Sequence, residues 1–288
     1  MTRVIAVVGP TATGKSDLGV ALAKELGAEV VNADSMQLYR GMDIGTAKLT
    51  EQERQGVPHH LLDVWEPTET ASVAAYQTMA RDLLDGPPKV FVGGSGLYLR
   101  AALDTLEFPG TDPVLRAELE RTLECDGPGP LHERLKRLDP DAAARMEPSN
   151  GRRIVRALEV VLLHGAMPGA MTDYASFVPT TYLGLDRPDL GDRVDLRVDR
   201  MWDAGLLEEV RHLGPLGVTA ARALGYAQAT RQLAGELTEA QAREQTKAAT
   251  RRFVRRQRSW FRRDPRIHWL DPDADLLTQA TAVLSRED

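Results

Sequence analysis

Residues Gly9-Pro10-Thr11-Ala12-Thr13-Gly14-Lys15-Ser16 leave this chain little freedom in how it begins. They follow the apolar run Val4-Ile5-Ala6-Val7-Val8 and precede a helical pattern of Leu18, Ala21, Leu22 and Leu26. Strand, glycine-rich turn and helix form the context in which G-x-x-x-x-G-K-[ST] is a phosphate-binding loop. Gly9 and Gly14 let the backbone turn its N–H groups inward onto phosphate oxygens, which the helix N-terminus also favours. Lys15 then reaches the outer phosphate, and the Ser16 hydroxyl suits a magnesium ion. Such a start predicts an α/β fold, a P-loop NTPase-like parallel sheet flanked by helices. A plain glycine turn is the alternative.

Gly27 ends the first helix, and Ala28–Ala33 reads as a second strand. Asp34 and Ser35 sit just past its carboxyl end, where ligands bind in open α/β sheets. Alone, Asp34 reads equally well as a helix N-cap. The connection from Met36 and Gln37 to Lys48 has little periodicity, as functional loops do and merely irregular ones also do. Pro58–Val64 is a short strand led by His59 and His60, with no third ligand at metal-binding spacing. A buried-strand run, Lys89-Val90-Phe91-Val92, closes on Gly93-Gly94-Ser95-Gly96. It lacks the magnesium-holding Asp that P-loop ATPases usually carry there. The paired glycines predict that another molecule approaches the backbone, with Ser95 offering a hydroxyl, although a tight strand-to-helix turn would use the same residues.

From Asp112 to Val178 the pattern is helix without strand, so the domains expected are a core of 1–111 and 179–288 and an all-helical insertion of 112–178. Pro148-Ser149-Asn150 caps a helix whose first turn holds Arg152, Arg153 and Arg156. Cations there oppose the helix dipole, which points to an anionic partner. Thr181–Leu185 returns the chain to the sheet. The last long helix, about Thr238 to Arg262, lies in a stretch from Arg243 to Arg266 with ten basic residues and two acidic ones, in a chain of net charge −6. Arg251, Arg255, Arg258 and Arg262 recur at helical spacing and predict a polyanion-binding face, with Phe253, Trp260 and Phe261 anchoring the helix to the core. A single cysteine, Cys125, and the absence of an apolar run near the roughly 18 residues of a membrane span predict a cytoplasmic protein without membrane contact. The lack of an exposed apolar seam predicts a monomer.

Residue types alone reach a P-loop enzyme that acts on, or is controlled by, a nucleic acid. A small-molecule ATP kinase with a helical lid and a non-catalytic RNA binder remain open. Particular residues go further. Gly9–Ser16, Asp34-Ser35-Met36-Gln37-Leu38-Tyr39-Arg40-Gly41, Asp43–Lys48, Gly93–Tyr98, Arg153-Ile154-Val155-Arg156-Ala157-Leu158-Glu159 and Thr250–Gln257 with Trp260-Phe261 occur in this order. Together they resemble the bacterial tRNA isopentenyltransferases (tRNA dimethylallyltransferases), over nearly the whole chain. The resemblance implies transfer of a dimethylallyl group from dimethylallyl pyrophosphate to N6 of the adenosine beside the tRNA anticodon, position 37. It implies a loop that holds pyrophosphate rather than ATP, with Thr11, Ala12, Thr13, Gly14, Lys15 and Ser16 on the diphosphate and Ser16 on Mg2+. It further implies that Asp34 is the general base. Ser95, where the family usually has threonine, would bond near the reacting nitrogen. Arg116, Arg152 to Arg156 (with Ile154 and Val155), and Arg251, Arg252, Arg255 and Arg256 would hold the tRNA anticodon stem-loop, joined by Ser35, Met36 and Gln37. A close variant that prenylates free adenine nucleotides stays beside this reading.

Overall fold

The computed structural model describes residues 3–169 and 173–287. Strand β1 (Val4–Val8) is buried along its whole length, as a central strand covered on both faces must be. It delivers the chain into the glycine-rich loop, from which α1 (Lys15–Leu26) departs and ends on left-handed Gly27. β2 (Glu29–Asn32), the two-residue β3 (His59–His60), α2 (Val73–Asp82), β4 (Lys89–Gly93) and α3 (Gly96–Leu103) follow. The four helices α4 (Pro113–Asp126), α5 (Pro128–Leu138), α6 (Pro140–Ala144) and α7 (Gly151–His164) come next. β5 (Thr180–Leu185), α8 (Leu190–Asp203), α9 (Leu206–Leu213), α10 (Tyr226–Leu233), α11 (Glu239–Phe261), β6 (Ile267–Leu270) and α12 (Leu276–Glu287) complete the chain.

The six strands form one parallel sheet in the order β3-β2-β4-β1-β5-β6. The expected parallel α/β architecture is therefore present, with the glycine-rich loop at the carboxyl end of a central strand. Strand β6 was not anticipated. Its Ile267 and Leu270 are buried while His268 and Trp269 are exposed, so it lacks the alternation that marks a strand in sequence.

One apolar cluster, including Phe91, Tyr76, Leu99 and Leu103, covers one face of the sheet, and another, including Ile5, Leu22, Val90 and Leu183, covers the other. A third is built by α8 to α11 around Tyr39, Met42, Val198 and Tyr226. This third cluster explains the loop from Asp34 to Lys48. The Glu209 carboxylate accepts the N–H groups of Asp43, Ile44 and Gly45 as well as the Tyr226 hydroxyl. Buried Lys48 donates to Asp43, Asp63 and the Tyr39 carbonyl at 2.6, 2.5 and 2.9 Å. Buried polar groups of a loop must find such partners, and here they make an aperiodic segment rigid.

The chain divides into a sheet unit of residues 3–106 and 175–287 and a helical unit, Glu107–Tyr174. The helical unit lies a few residues earlier than the 112–178 expected: it begins at Glu107, and it ends before Phe177, whose N–H donates to Leu103 O within the sheet unit. Within the helical unit, α4, α5 and α7 pack Leu119, Leu131, Leu135, Ile154 and Leu158 together. No described helix is long and apolar enough to cross a membrane.

Candidate active site

The glycine-rich loop is shaped by three residues with positive φ, Gly9 at 141°, Ala12 at 70° and Gly14 at 91°. A side chain on Gly9 would collide with the Leu185 carbonyl of β5, so only glycine lets the loop lie this close to the sheet. The loop braces itself: Thr13 Oγ1 and Lys15 Nζ both donate to Pro10 O, at 3.0 and 2.5 Å, and Arg193 Nε donates to Ala12 O at 2.8 Å. Burial, and then repulsion from Arg197, bring Lys15 down to a pKa of about 7, against the opposing pull of Asp34. A cavity of about 70 Å³ adjoins it. Its wall holds Thr11, Lys15, Ser16, Asp34 and Arg197 together with apolar Val30, Leu49, Leu62 and Val92. A wall that mixes cations with apolar side chains suits an anion that carries a short hydrocarbon tail. Oxygen donors for a hard divalent cation are Ser16 and Asp34. Among the described residues no three His, Cys, Asp or Glu side chains gather to hold a metal. His59 also lines this cavity, its Nδ1 against Val57 O, while His60 pairs with Glu29.

No helix begins at Asp34, so it is not the helix N-cap its sequence position allowed; it closes a turn instead. Its Oδ1 accepts the Met36 N–H at 3.0 Å, closing an Asx turn, and its own N–H donates to Asn32 Oδ1 at 2.9 Å. Asn32, buried at the end of β2, thus aims the backbone that carries Asp34, a role the sequence did not flag. Ser95 Oγ accepts the Ser35 N–H at 3.2 Å and donates to Ser35 Oγ at 3.3 Å. Asp34, Ser35, Met36 and Ser95 then open onto a second cavity of about 270 Å³, also lined by Met201, Phe253 and Arg256. Thr11, Asp34, Thr46 and Arg197 belong to both cavities. Asp34 is therefore a carboxylate shared by the smaller cavity, with Lys15 and Arg197 on its wall, and the larger one, whose wall includes Phe253. Gln37 faces the smaller cavity, and its amide also donates to the Thr46 and Ala47 carbonyls.

The glycines around Ser95 serve a different purpose from the one expected. A Cβ on Gly94 would displace the Gln257 amide, and one on Gly96 would strike the Trp260 indole. The close approach is made by α11 of the same chain. Gln257 Oε1 accepts from Thr11 N and Thr11 Oγ1 at 3.0 and 3.1 Å, and its Nε2 donates to Gly94 O at 2.9 Å.

The sequence model of the IPP transferase family matches residues 37–264. This chain belongs to that family. It is 61% identical over 302 residues to the tRNA dimethylallyltransferase of Thermobifida fusca, covering 99% of this chain and 95% of that protein. It is similar in structure to the full-length tRNA isopentenylpyrophosphate transferase of Bacillus halodurans, with a TM-score of 0.72 and 38% identity, covering 100% of this chain and 96% of the other. A eukaryotic dimethylallyltransferase solved acting on tRNA gives a TM-score of 0.80 at 26% identity, covering 100% of this chain and 78% of the other.

For this IPP transferase family member the basic stretch has to be re-sorted. The face expected to bind a polyanion, Arg251, Arg255, Arg258 and Arg262, is largely neutralised within the fold. Arg251 pairs with Asp195 and Glu244, while Arg258 and Arg262 both pair with Asp186. Arg243 and Lys247 are likewise spent on Asp199, and Arg243 on Asp203 and Glu239. Exposed Arg252, Arg255, Arg256 and Arg263 have no carboxylate partner among the described residues, and Arg256 lies over Phe253, 5.6 Å from the ring centroid. The cationic surface is the neighbouring stripe of α11.

The helical unit needs a similar correction. Glu159 is fully buried and accepts the Asp112 N–H together with the guanidinium groups of Arg116 and Arg156. Arg156 also donates to the carbonyls of Pro109 and Gly110. These two arginines serve the interior of the unit, and their side chains are committed there. Ile154 and Val155, at 0% and 2% exposure, face the core and have no side-chain surface to offer RNA. Arg152 and Arg153 are the exposed members of the segment.

Proposed function

We propose that the chain transfers a dimethylallyl group from dimethylallyl pyrophosphate to N6 of adenosine 37 of tRNA, releasing pyrophosphate. The observation that carries this reading is Asp34 at the junction of the two cavities. On this reading the smaller cavity holds the allylic diphosphate, its phosphates among the loop N–H groups, Lys15 and Arg197, and its five-carbon tail against Val30, Leu49 and Leu62. The larger one receives the adenine, which must leave its stack to arrive there.

An adenine amine is a weak nucleophile, because its lone pair is delocalised into the ring. The barrier falls by holding the amine against the allylic carbon and by stabilising the departing charge in a site closed to water. As the C–O bond to the diphosphate breaks and the N6–C bond forms, Asp34 takes the amine proton and Lys15 and Arg197 hold the leaving diphosphate. Ser95, fixed by Ser35, orients the amine. Magnesium is part of the reading: the Ser16 hydroxyl would hold it, and when bound it would neutralise diphosphate charge. Arg152 and Arg153 and the stripe of Arg252, Arg255 and Arg256 would bind RNA phosphates. The reading also takes the chain to be a cytoplasmic monomer.

The test is incubation with magnesium, labelled dimethylallyl pyrophosphate and unmodified tRNA. Label on the adenosine beside the anticodon is expected. Label on free adenine nucleotide alone would favour the nucleotide-prenylating variant, and ATP turnover without transfer would mean a kinase.

A further inference from the structure

Helix α11 presents two chemically different surfaces within one turn. Arg252, Arg255 and Arg256 point to solvent, with Arg256 and Phe253 at the edge of the larger cavity. The next residue, Gln257, is 5% exposed, and its amide is engaged at both ends by the loops that carry the chemistry. Accepting from an N–H at one end and donating to a carbonyl at the other leaves only one orientation for the amide. Burying an amide is unfavourable unless each polar atom is bonded, so packing alone would favour an apolar residue here. What the bonds join matters more. Thr11 lies in the diphosphate loop, and Gly94 immediately precedes Ser95 on the acceptor side.

We propose that Gln257 is a positioning residue that couples RNA binding on the arginine stripe of α11 to diphosphate binding on the glycine-rich loop, so that each ligand tightens the other. The inference rests on the tRNA-prenylating reading above. RNA phosphates held by Arg252, Arg255 and Arg256 restrain a continuous helix of 23 residues. Gln257 passes that restraint to Thr11. A diphosphate arriving second meets a loop already ordered and loses less conformational entropy on binding. By thermodynamic linkage the same factor acts in the other direction.

The test titrates inorganic pyrophosphate, with magnesium, into the full chain with and without an anticodon stem-loop RNA. RNA is expected to tighten pyrophosphate binding by roughly 5- to 20-fold, within the usual range of such couplings. Gln257→Met matches the volume and removes both bonds, and Gln257→Asn keeps the amide but shortens its reach. Each is expected to bind RNA alone within about twofold of the natural chain while its coupling factor falls to near one. A role in stability alone would move the melting temperature and leave that ratio unchanged, so melting curves accompany both variants. A factor of one in the natural chain, or an undiminished factor in either folded variant, overturns the proposal. Failure of the underlying reading looks different: the natural chain then moves no prenyl group to tRNA at all.

Discussion

Arg197 shares a cavity wall with Lys15, and after burial its guanidinium is the largest cause of the lysine's fall from 10.5 to a pKa of about 7. A loop lysine that serves as a fixed positive charge in most descriptions is here titratable near neutrality. Burial also lowers Arg197, but a guanidinium keeps its proton at any ordinary pH.

A bound diphosphate reverses the balance, since its charge favours the ammonium. Between pH 7 and the ordinary lysine value, binding therefore takes up a proton, and affinity falls as pH rises through that window. At pH 8 calorimetry in buffers of different ionisation enthalpy should show close to one more proton taken up per pyrophosphate than Lys15→Arg takes up. The arginine variant starts charged and contributes none.

Asp34→Asn keeps the Asx-turn acceptor for Met36 N–H and removes the carboxylate proposed as the base. Single-turnover transfer should slow by about 10²- to 10⁴-fold, the usual worth of a positioned general base, with tRNA affinity little changed. A matching loss in affinity would mean that Asp34 binds the RNA instead.

Cations on α11 that look equivalent in sequence should separate by experiment. Arg252→Ala and Arg256→Ala should each weaken tRNA binding and lower the slope of log affinity against log salt by about one. Arg258→Ala should leave that slope alone and cost about 1–3 kcal/mol of stability, because it strips a partner from Asp186. Salt titrations of binding beside denaturant melts distinguish the two classes.

Glu159→Ala should destabilise the helical unit by about 1–3 kcal/mol, since it strips the Arg116 and Arg156 guanidinium groups and the Asp112 N–H of a shared acceptor while leaving the partly exposed arginines open to water. Burial raises the Glu159 pKa, but its bonds to Arg116 and Arg156 outweigh that and hold it below the usual 4.5. A depressed carboxylate stabilises at all pH values above its unfolded pKa, and the contribution disappears as pH falls through its folded value. Acid unfolding followed by exchange of amides in Glu107–Tyr174 should show that loss in the natural chain and not in the variant.

The cavity-lining positions of Lys15, Ser16, Asp34 and Ser95 were legible in sequence because strand ends and glycine motifs place them by local rules. Arg197 was not legible. It sits in the run Asp192-Arg193-Val194-Asp195-Leu196-Arg197-Val198-Asp199-Arg200, where every charge looks solvent-facing. Gln257 is hidden among arginines for the same reason. Periodicity says which residues of α11 share a face but not what opposes that face. The acids that neutralise Arg251 and Arg258 lie far upstream, at Asp195 and Asp186, and only the fold brings them together. The helical arginines were read from their distaste for a helix N-terminus, and the buried acid that answers Arg156 lies one turn further along, at Glu159.

The helical unit departs after Leu106 and the chain returns at Ala175, and the flanking backbone is already joined: Thr105 N–H donates to Ala175 O at 2.9 Å, and Asp104 and Ser176 form an antiparallel bridge. Topologically those helices are an overgrown hairpin turn, spliced where the ladder closes without them. Replacing 107–174 with a short turn should leave a core that still binds pyrophosphate and has lost part of its grip on RNA. An insertion joined in this way can be lengthened, trimmed or exchanged in one piece while the sheet and the cavities at its edge are inherited intact.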